Sequence, residues 1–299
     1  MTELAELGAR EDAVTSSAPK PEHALRRLLR QPRFAISAAL VLLVLVMAAF
    51  PWLFTSIDGH DPANCDLGVG ITGPSAAHWF GTDTLGCDYY SKVIYGARPS
   101  IVIGLAVTIA SFVISAVVGS IAGYVGGWVD GLISRICDVM FGLPFMLGAI
   151  VVLQLFEQRT VATVCLALTL FYWPGGVRFM RSAVLGVRNR EYVQASKVLG
   201  AGNVRILRRH VIPNSLTPLV VLKTLGIGGV IAAEAGLTFI GIGLAKPAVS
   251  WGLQLADAKT EITTNPHLLL FPSIFLSVTV LAFVLFGESV RDALDPKNR

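Results

Sequence analysis

The sequence predicts an all-α, polytopic membrane protein with six transmembrane helices, on three observations. Of its 299 residues 54% are hydrophobic and only 15% charged, against about 25% charged in ordinary soluble domains. Six stretches, near 34–55, 99–127, 137–156, 160–177, 215–240 and 267–287, reach or approach the roughly 20 apolar residues that a helix needs to cross a bilayer with its backbone satisfied internally. The basic residues are also unevenly placed. Residues 1–33, 178–210 and the tail from Arg291 hold 17 of the 24 lysines and arginines, and they fall on one side if six spans alternate. The alternating ten-residue strands of a barrel do not occur.

That basic side is expected to be the cytoplasm. The first long loop, 56–97, carries Asp58, Asp61, Asp66, Asp83 and Asp88 against Lys92 and is expected to face out. The formal charge of +4 is then a property of topology, and a nucleic-acid partner has little left to explain.

Residues 1–20 lack periodicity and read as a disordered tail. They also lack the basic start and apolar core of a cleavable signal, so the first span reads as a retained anchor. In Glu22 to Arg33, Leu25, Leu28 and Leu29 recur at helical spacing among Arg26, Arg27 and Arg30; a short helix on the inner surface and an ordinary basic flank both suit this pattern. The first span is expected to end near Pro51 and Trp52. Cys65 and Cys87 share the outer loop, whereas Cys137 and Cys165 lie in apolar stretches. A bridge closing a loop of about 22 residues in an oxidising compartment is one reading of the first two, and unrelated thiols the other.

The second span carries small residues at every fourth position, Ser111, Ser115, Gly119, Gly123 and Gly127, a stripe that lets another helix approach closely. Pro144 is expected to kink the third span, and Arg135 and Asp138, three apart, to pair near its inner end. After the fourth span Arg178 and Arg181 read as interfacial anchors. In the fifth, Lys223 is expected to snorkel to the inner surface. Glu234 is an intramembrane acid and so a functional candidate, although capping or hydrogen-bonding a re-entrant backbone rich in Gly236, Gly241 and Gly243 is the favoured role. Ser250, Trp251 and Gly252 begin a second outward segment.

Between the fourth and fifth spans lies a polar, basic island, Glu191 to Asn214. Glu191 to Leu199 has good helix formers and an N-terminal acid that complements the helix dipole. Gly200 suits the left-handed conformation that ends a helix, and Ala195, Val198 and Leu199 form an apolar patch. Arg205, Arg208 and Arg209 follow, then Pro213 as a helix breaker opening the fifth span. A docking helix for another protein explains the patch and the defined stop; a basic helix resting on lipid headgroups is the alternative.

These motifs resemble the inner-membrane permease subunits of ABC importers, specifically the C-type subunit of the dipeptide and oligopeptide (peptide/nickel) systems. The island is similar to that superfamily's cytoplasmic "EAA" loop, Glu-Ala-Ala, three residues, Gly, nine residues, Ile-x-Leu-Pro. Here the positions read Gln194, Ala195, Ser196, Gly200 and His210 to Pro213, with the spacing kept and the acid and second alanine replaced. Arg26 to Pro32, His60 to Pro62, Phe80 to Ser100, EAGLTFIGIG with SWG, and GESVRDALDP also look like this subfamily, in order. Cys87 stands where the family pattern has arginine, which strengthens the reading of a bridge to Cys65.

The resemblance implies a type I ABC importer permease fold: a tail and interfacial helix over 1–33, a permease domain over 34–290 with outer loop 56–97 and cytoplasmic coupling loop 178–214, and a tail over 291–299. It implies a bacterial plasma (inner) membrane location with both termini cytoplasmic. The implied partners are a second permease in a heterodimer, two ATPase domains or subunits that carry the ATP and Mg, an extracytoplasmic binding protein, a peptide substrate and membrane lipid. Glu191, Gln194, Ala195, Ser196, Val198, Leu199, Gly200, Arg205 and Pro213 are the implied ATPase-coupling residues. No catalytic residue, metal or cofactor is assigned to this chain. Nickel or another small solute is the alternative cargo. The sequence has no GxxxxGK[ST], HExxH or GxSxG, and His23, His60, His78, His210 and His267 are scattered. An ion-coupled secondary transporter is the alternative of another class; it would need mid-membrane acids and repeated halves, and Glu234 is its one candidate.

Overall fold

A computed structural model describes residues 32–56 and 65–294. The expectations for residues 1–31, for the HDP tripeptide at 60–62 and for the tail from 295 lie outside the described residues. The helices are α1 (Pro32–Ala49), α2 (Pro51–Thr55), α3 (Tyr89–Val125), α4 (Gly127–Gly142), α5 (Phe145–Leu153), α6 (Val161–Arg188), α7 (Glu191–Val198), α8 (Asn203–Ile206), α9 (Ile212–Phe239), α10 (Trp251–Asp257) and α11 (His267–Leu294). Among the described residues β-structure is confined to two isolated bridges, Cys65 with Cys87 and Thr82 with Asp88.

Among the described residues five helical runs are long and apolar enough to cross a membrane, and α4 with α5, which qualify together, meet at 85°, the geometry of a broken sixth span or of a re-entrant loop. The all-α, multi-span architecture is thus as the composition requires, but several boundaries differ. The first span stops at Ala49, and Pro51 starts the separate α2. The second begins at Tyr89, ten residues early, because Asp88 caps it by accepting from the Ser91 N–H at 2.7 Å. The third begins at Gly127 and is broken outright: Leu143 is extended, as the residue before a proline is steered to be, and Pro144 caps α5. The fourth runs on to Arg188.

Pro213 does not break the fifth span. Helix runs from Asn203 to Phe239 through a π-helical turn at Leu207–Val211, with Pro213 in the first turn of α9. Asn214 Nδ2 donates to the His210 carbonyl at 2.6 Å, engaging an acceptor in the turn beside a residue that has no N–H to give.

α3 and α6 are the most closely packed pair. Gly119 and Gly123 of the small-residue stripe face α6 so tightly that a Cβ at Gly119 would lie 2.7 Å from Met180 Cβ and 2.8 Å from the Val177 carbonyl oxygen. Ser115 Oγ donates to the Trp173 carbonyl at 3.1 Å. Gly127, the last member of the stripe, belongs to α4 and faces open space. With 37 residues at about 1.5 Å each, α3 is up to about 55 Å long and separates two ends of the molecule.

At its N-terminal end Cys65 and Cys87 are joined by a disulfide. Thr82 Oγ1 donates to the Gly70 carbonyl at 2.7 Å and accepts from the Thr72 N–H at 2.8 Å, while Phe80 stacks on Phe271 of α11 with ring centroids 3.8 Å apart. α10 packs into the same end: the Ser250 hydroxyl accepts from the Leu253 N–H, and the buried Trp251 donates from Nε1 to the Val93 carbonyl at 2.9 Å. Between α10 and α11, hydrogen bonds from Asn265 and Thr264 hold the Glu261 carboxyl below the usual carboxylate range.

Adding a methyl group at Gly119 drives it into backbone, whereas Gly131 has nothing within 4 Å of its Cβ position. Gly119→Ala is expected to destabilise by about 1–3 kcal/mol through overpacking and Gly131→Ala to be neutral or better, read as thermal unfolding in detergent. Removing the bridge with Cys65→Ser and Cys87→Ser, 22 residues apart, is expected to cost about 3 kcal/mol on the chain-entropy account, measured the same way.

Candidate functional site

The island folds as a helix, a turn and the start of the fifth span, held at the end of α3 opposite the disulfide. α7 begins with Glu191, an acid in the first turn, and ends with Lys197 in the last, both favourable to the helix dipole. Gly200 takes φ +80° in the turn that follows, a conformation that costs a residue with a Cβ. Gln194 Nε2 donates to the Arg188 carbonyl at 3.0 Å and Ser196 Oγ to the Tyr192 carbonyl at 2.8 Å, so both polar replacements in the motif are spent on local backbone.

One face of α7 is anchored. Val193 is fully buried and packs with Met180 and Val184 of α6 and with Ile206, Val211 and Leu219 of the fifth span. Arg188 Nη1 donates to the Gly123 carbonyl at 2.7 Å, and the Tyr124 hydroxyl to Asn203 Oδ1 at 3.1 Å, tying both edges of the island to the end of α3. The other face is bare: Val198 is 88% and Leu199 87% exposed, with Val204 at 68%, and Ala195, Arg205 and Pro213 are exposed beside them. Such a surface on a rigidly seated helix gains by being covered. The anchors Val193, Ile206, Arg188 and Tyr124 were missed from sequence; isolated apolar residues among polar ones at 193 and 206 were the available signal.

The ionisable groups of the spans sit differently from expectation. Arg178 and Arg181 are not simple interfacial anchors: Arg178 pairs with Asp138 and Arg181 with Asp130, joining α6 to α4. Asp138 therefore pairs across helices and not with Arg135 one turn away. Lys223 does not snorkel. Only 4% exposed, it donates to Ser111 Oγ of α3 and to the Tyr172 carbonyl of α6 at 3.5 Å, and its Nζ lies 4.2 Å from the Tyr172 ring centroid. The small residue at Gly176 leaves room for it, since a Cβ there would meet Lys223 Cε at 2.8 Å.

Glu234 is fully buried and accepts from three hydroxyls, Ser100 at 3.1 Å, Thr238 at 2.9 Å and Ser250 at 3.4 Å. It touches the Gly-rich backbone only at one remove, because the Thr238 hydroxyl in turn accepts from the Leu244 N–H. The carboxyl thus ties α3, α9 and the start of α10 together. Gly241 takes φ +87° in the turn, and Gly243 packs on Thr238.

Comparison with known proteins gives a family and a set of relatives. Residues 115–299 match the family described as binding-protein-dependent transport system inner membrane component. The glutathione transport system permease protein GsiD of Shigella flexneri serotype 5b is 38% identical over 278 residues, 93% of this chain and 91% of that protein. GsiD of Escherichia coli O6:H1 is 37% identical over the same shares. The dipeptide transport system permease protein DppC of Bacillus subtilis is 37% identical over 274 residues, 91% of this chain and 85% of that protein.

Lys223 buries an ammonium against one hydroxyl, one distant carbonyl and a ring, which repays only part of its desolvation. Lys223→Met, which keeps the volume and drops the charge, is expected to be at least as stable as the parent. Lys223→Ala, which leaves a cavity, should fall about 2 kcal/mol or more below the Met variant; thermal unfolding of the three proteins in one detergent decides.

Proposed function

This chain belongs to the family of binding-protein-dependent transport system inner membrane components, and from that premise we propose that it is the translocation subunit of an ATP-driven importer of small peptides. The observation that carries the cargo class is the likeness, across more than nine-tenths of the chain, to permeases named for glutathione and for dipeptides. Both cargoes are short peptides with free charged ends.

In this reading the disulfide end faces out and the α7 end faces the cytoplasm, as the positions of the basic residues favour, with both termini inside. A second permease completes the pathway. Separate ATPase chains, which hold ATP and Mg, sit beneath, and an extracytoplasmic binding protein delivers the peptide. The exposed patch of Ala195, Val198 and Leu199 enters a groove of one ATPase, with Glu191, Gln194, Ser196 and Arg205 around it. Val193 on the opposite face welds α7 to α6 and the fifth span, so a displacement of the patch moves both spans as one body. Packed contacts of this kind shift between discrete arrangements and do not stretch. Gly200 and the turn after it set the angle at which the returning helix re-enters the bundle, and Pro213 sits where the π-helical turn meets the span.

The reading is tested by co-purification from native membranes and by uptake in proteoliposomes. Recovery of ATPase chains and a second permease, with dipeptide uptake that needs both ATP and binding protein, is expected. Uptake without ATP, abolished by an ionophore, would overturn it. Ala195→Arg places a charge in the proposed groove contact, and Gly200→Pro forces φ near −65° where the chain needs +80°. Each is expected to lower ATP-coupled uptake at least tenfold while the protein remains in the membrane and ATP is still hydrolysed; unchanged uptake in both would sink the coupling assignment.

A further inference from the structure

A cavity of about 200 Å³ lies between the disulfide-clipped loop, the first turn of α3 and the segment from Lys246 through α10. It is roomy enough for several water molecules or for the charged end of a short peptide. Its walls carry both signs of charge. Asp83 pairs with Lys92 on one side and Lys246 with Asp257, at 3.1 Å, on the other.

The two pairs are unequal. Asp83 is locked, since it also accepts from the Leu85 N–H at 2.9 Å and the Cys87 N–H at 3.0 Å, and Asp83 and Lys92 are 15% and 18% exposed. Lys246 and Asp257 are 68% and 52% exposed, and an exposed pair of that kind contributes little to stability, so it exchanges partners easily. Gln254, also on the lining, donates from Nε2 to the Lys92 carbonyl at 2.6 Å and so fixes α10 against the first turn of α3.

The chemistry of the lining selects the ligand. Two carboxylates disfavour a simple anion, and two ammonium groups disfavour a metal cation. A solute with an ammonium and a carboxylate a short distance apart complements both, its ammonium toward Asp257 and its carboxylate toward Lys246 and Lys92. We propose that this pocket is a receiving site for the free charged ends of a short peptide, entered when the Lys246 to Asp257 pair opens. The proposal deepens the peptide-importer reading and rests on it. It gives this chain a part in recognising cargo, where binding protein and coupling helix alone would leave it a passive channel wall.

The test uses the intact transporter complex in nanodiscs, without binding protein, and a dipeptide whose leucine carries a diazirine. Illumination is expected to label segment 246–258 or 83–92. Alanyl-alanine should suppress the label at least tenfold, and N-acetyl-alanyl-alanine amide, which has neither charged end, should not. Lys246→Gln combined with Asp257→Asn should lose the label at least tenfold in a complex that elutes intact; the competition on the parent protein stands without it. Absence of saturable label at these segments, or equal suppression by the capped peptide, overturns the proposal. ATP-dependent dipeptide uptake by the same complex, reconstituted into proteoliposomes and supplied with binding protein, separates the two readings: uptake without label sinks the pocket alone, and no ATP-dependent uptake sinks the importer reading.

Discussion

The close approach of α3 and α6 is the constraint from which the other features follow. In lipid no hydrophobic force draws helices together, so association depends on packing, and packing depends on backbones coming near. Gly119 and Gly123 allow this on α3, and Gly176 allows it on α6, where it also leaves the space that Lys223 occupies. Once α6 lies along α3, its charged end is set beside α4, and Arg178 and Arg181 meet Asp138 and Asp130. The island is then carried at the end of a packed pair and not on a loose tether.

The two ends of the bundle are finished by opposite means. At the disulfide end, polar and covalent links dominate: the Cys65 to Cys87 bridge, the Asp88 cap, the Trp251 indole on the Val93 carbonyl and the hydroxyl cage around Glu234. That end is built to keep a shape. At the α7 end the links are an apolar anchor at Val193 and two hydrogen bonds, from Arg188 and Tyr124. The outer surface there is left apolar and exposed, which suits a part whose shape is completed by a partner. Glu234, fully buried in the fifth span, serves the fixed end: its three hydroxyl partners come from three separate parts of the chain, so it works as a clamp.

Much was legible in the sequence because its causes are local or compositional. The multi-span helical architecture follows from apolar run length, and the turn at Gly200 from a glycine after a helix-forming run. The two cysteines of one loop left a bridge and free thiols both open, and the structure closes the bridge. Three local rules led astray. Pro213 reads as a breaker, yet a π-helical turn and Asn214 absorb it. Asp138 reads as the partner of Arg135 one turn away, yet α6 brings Arg178 to it. Lys223 reads as a snorkelling side chain, yet a gap beside Gly176 and a hydroxyl on Ser111 take it inward.

The sequence by itself therefore determined that this is an all-helical membrane protein, where its spans lie to within about a dozen residues, and which stretch stands apart as a polar island, because run length, charge and turn chemistry act over a few residues. Only the tertiary structure decided what each ionisable group pairs with, that the third span is two helices at a steep angle, and that α7 is seated by Val193 with Val198 and Leu199 left bare. Those outcomes depend on which backbones can approach each other, and that is settled by residues far apart in the chain.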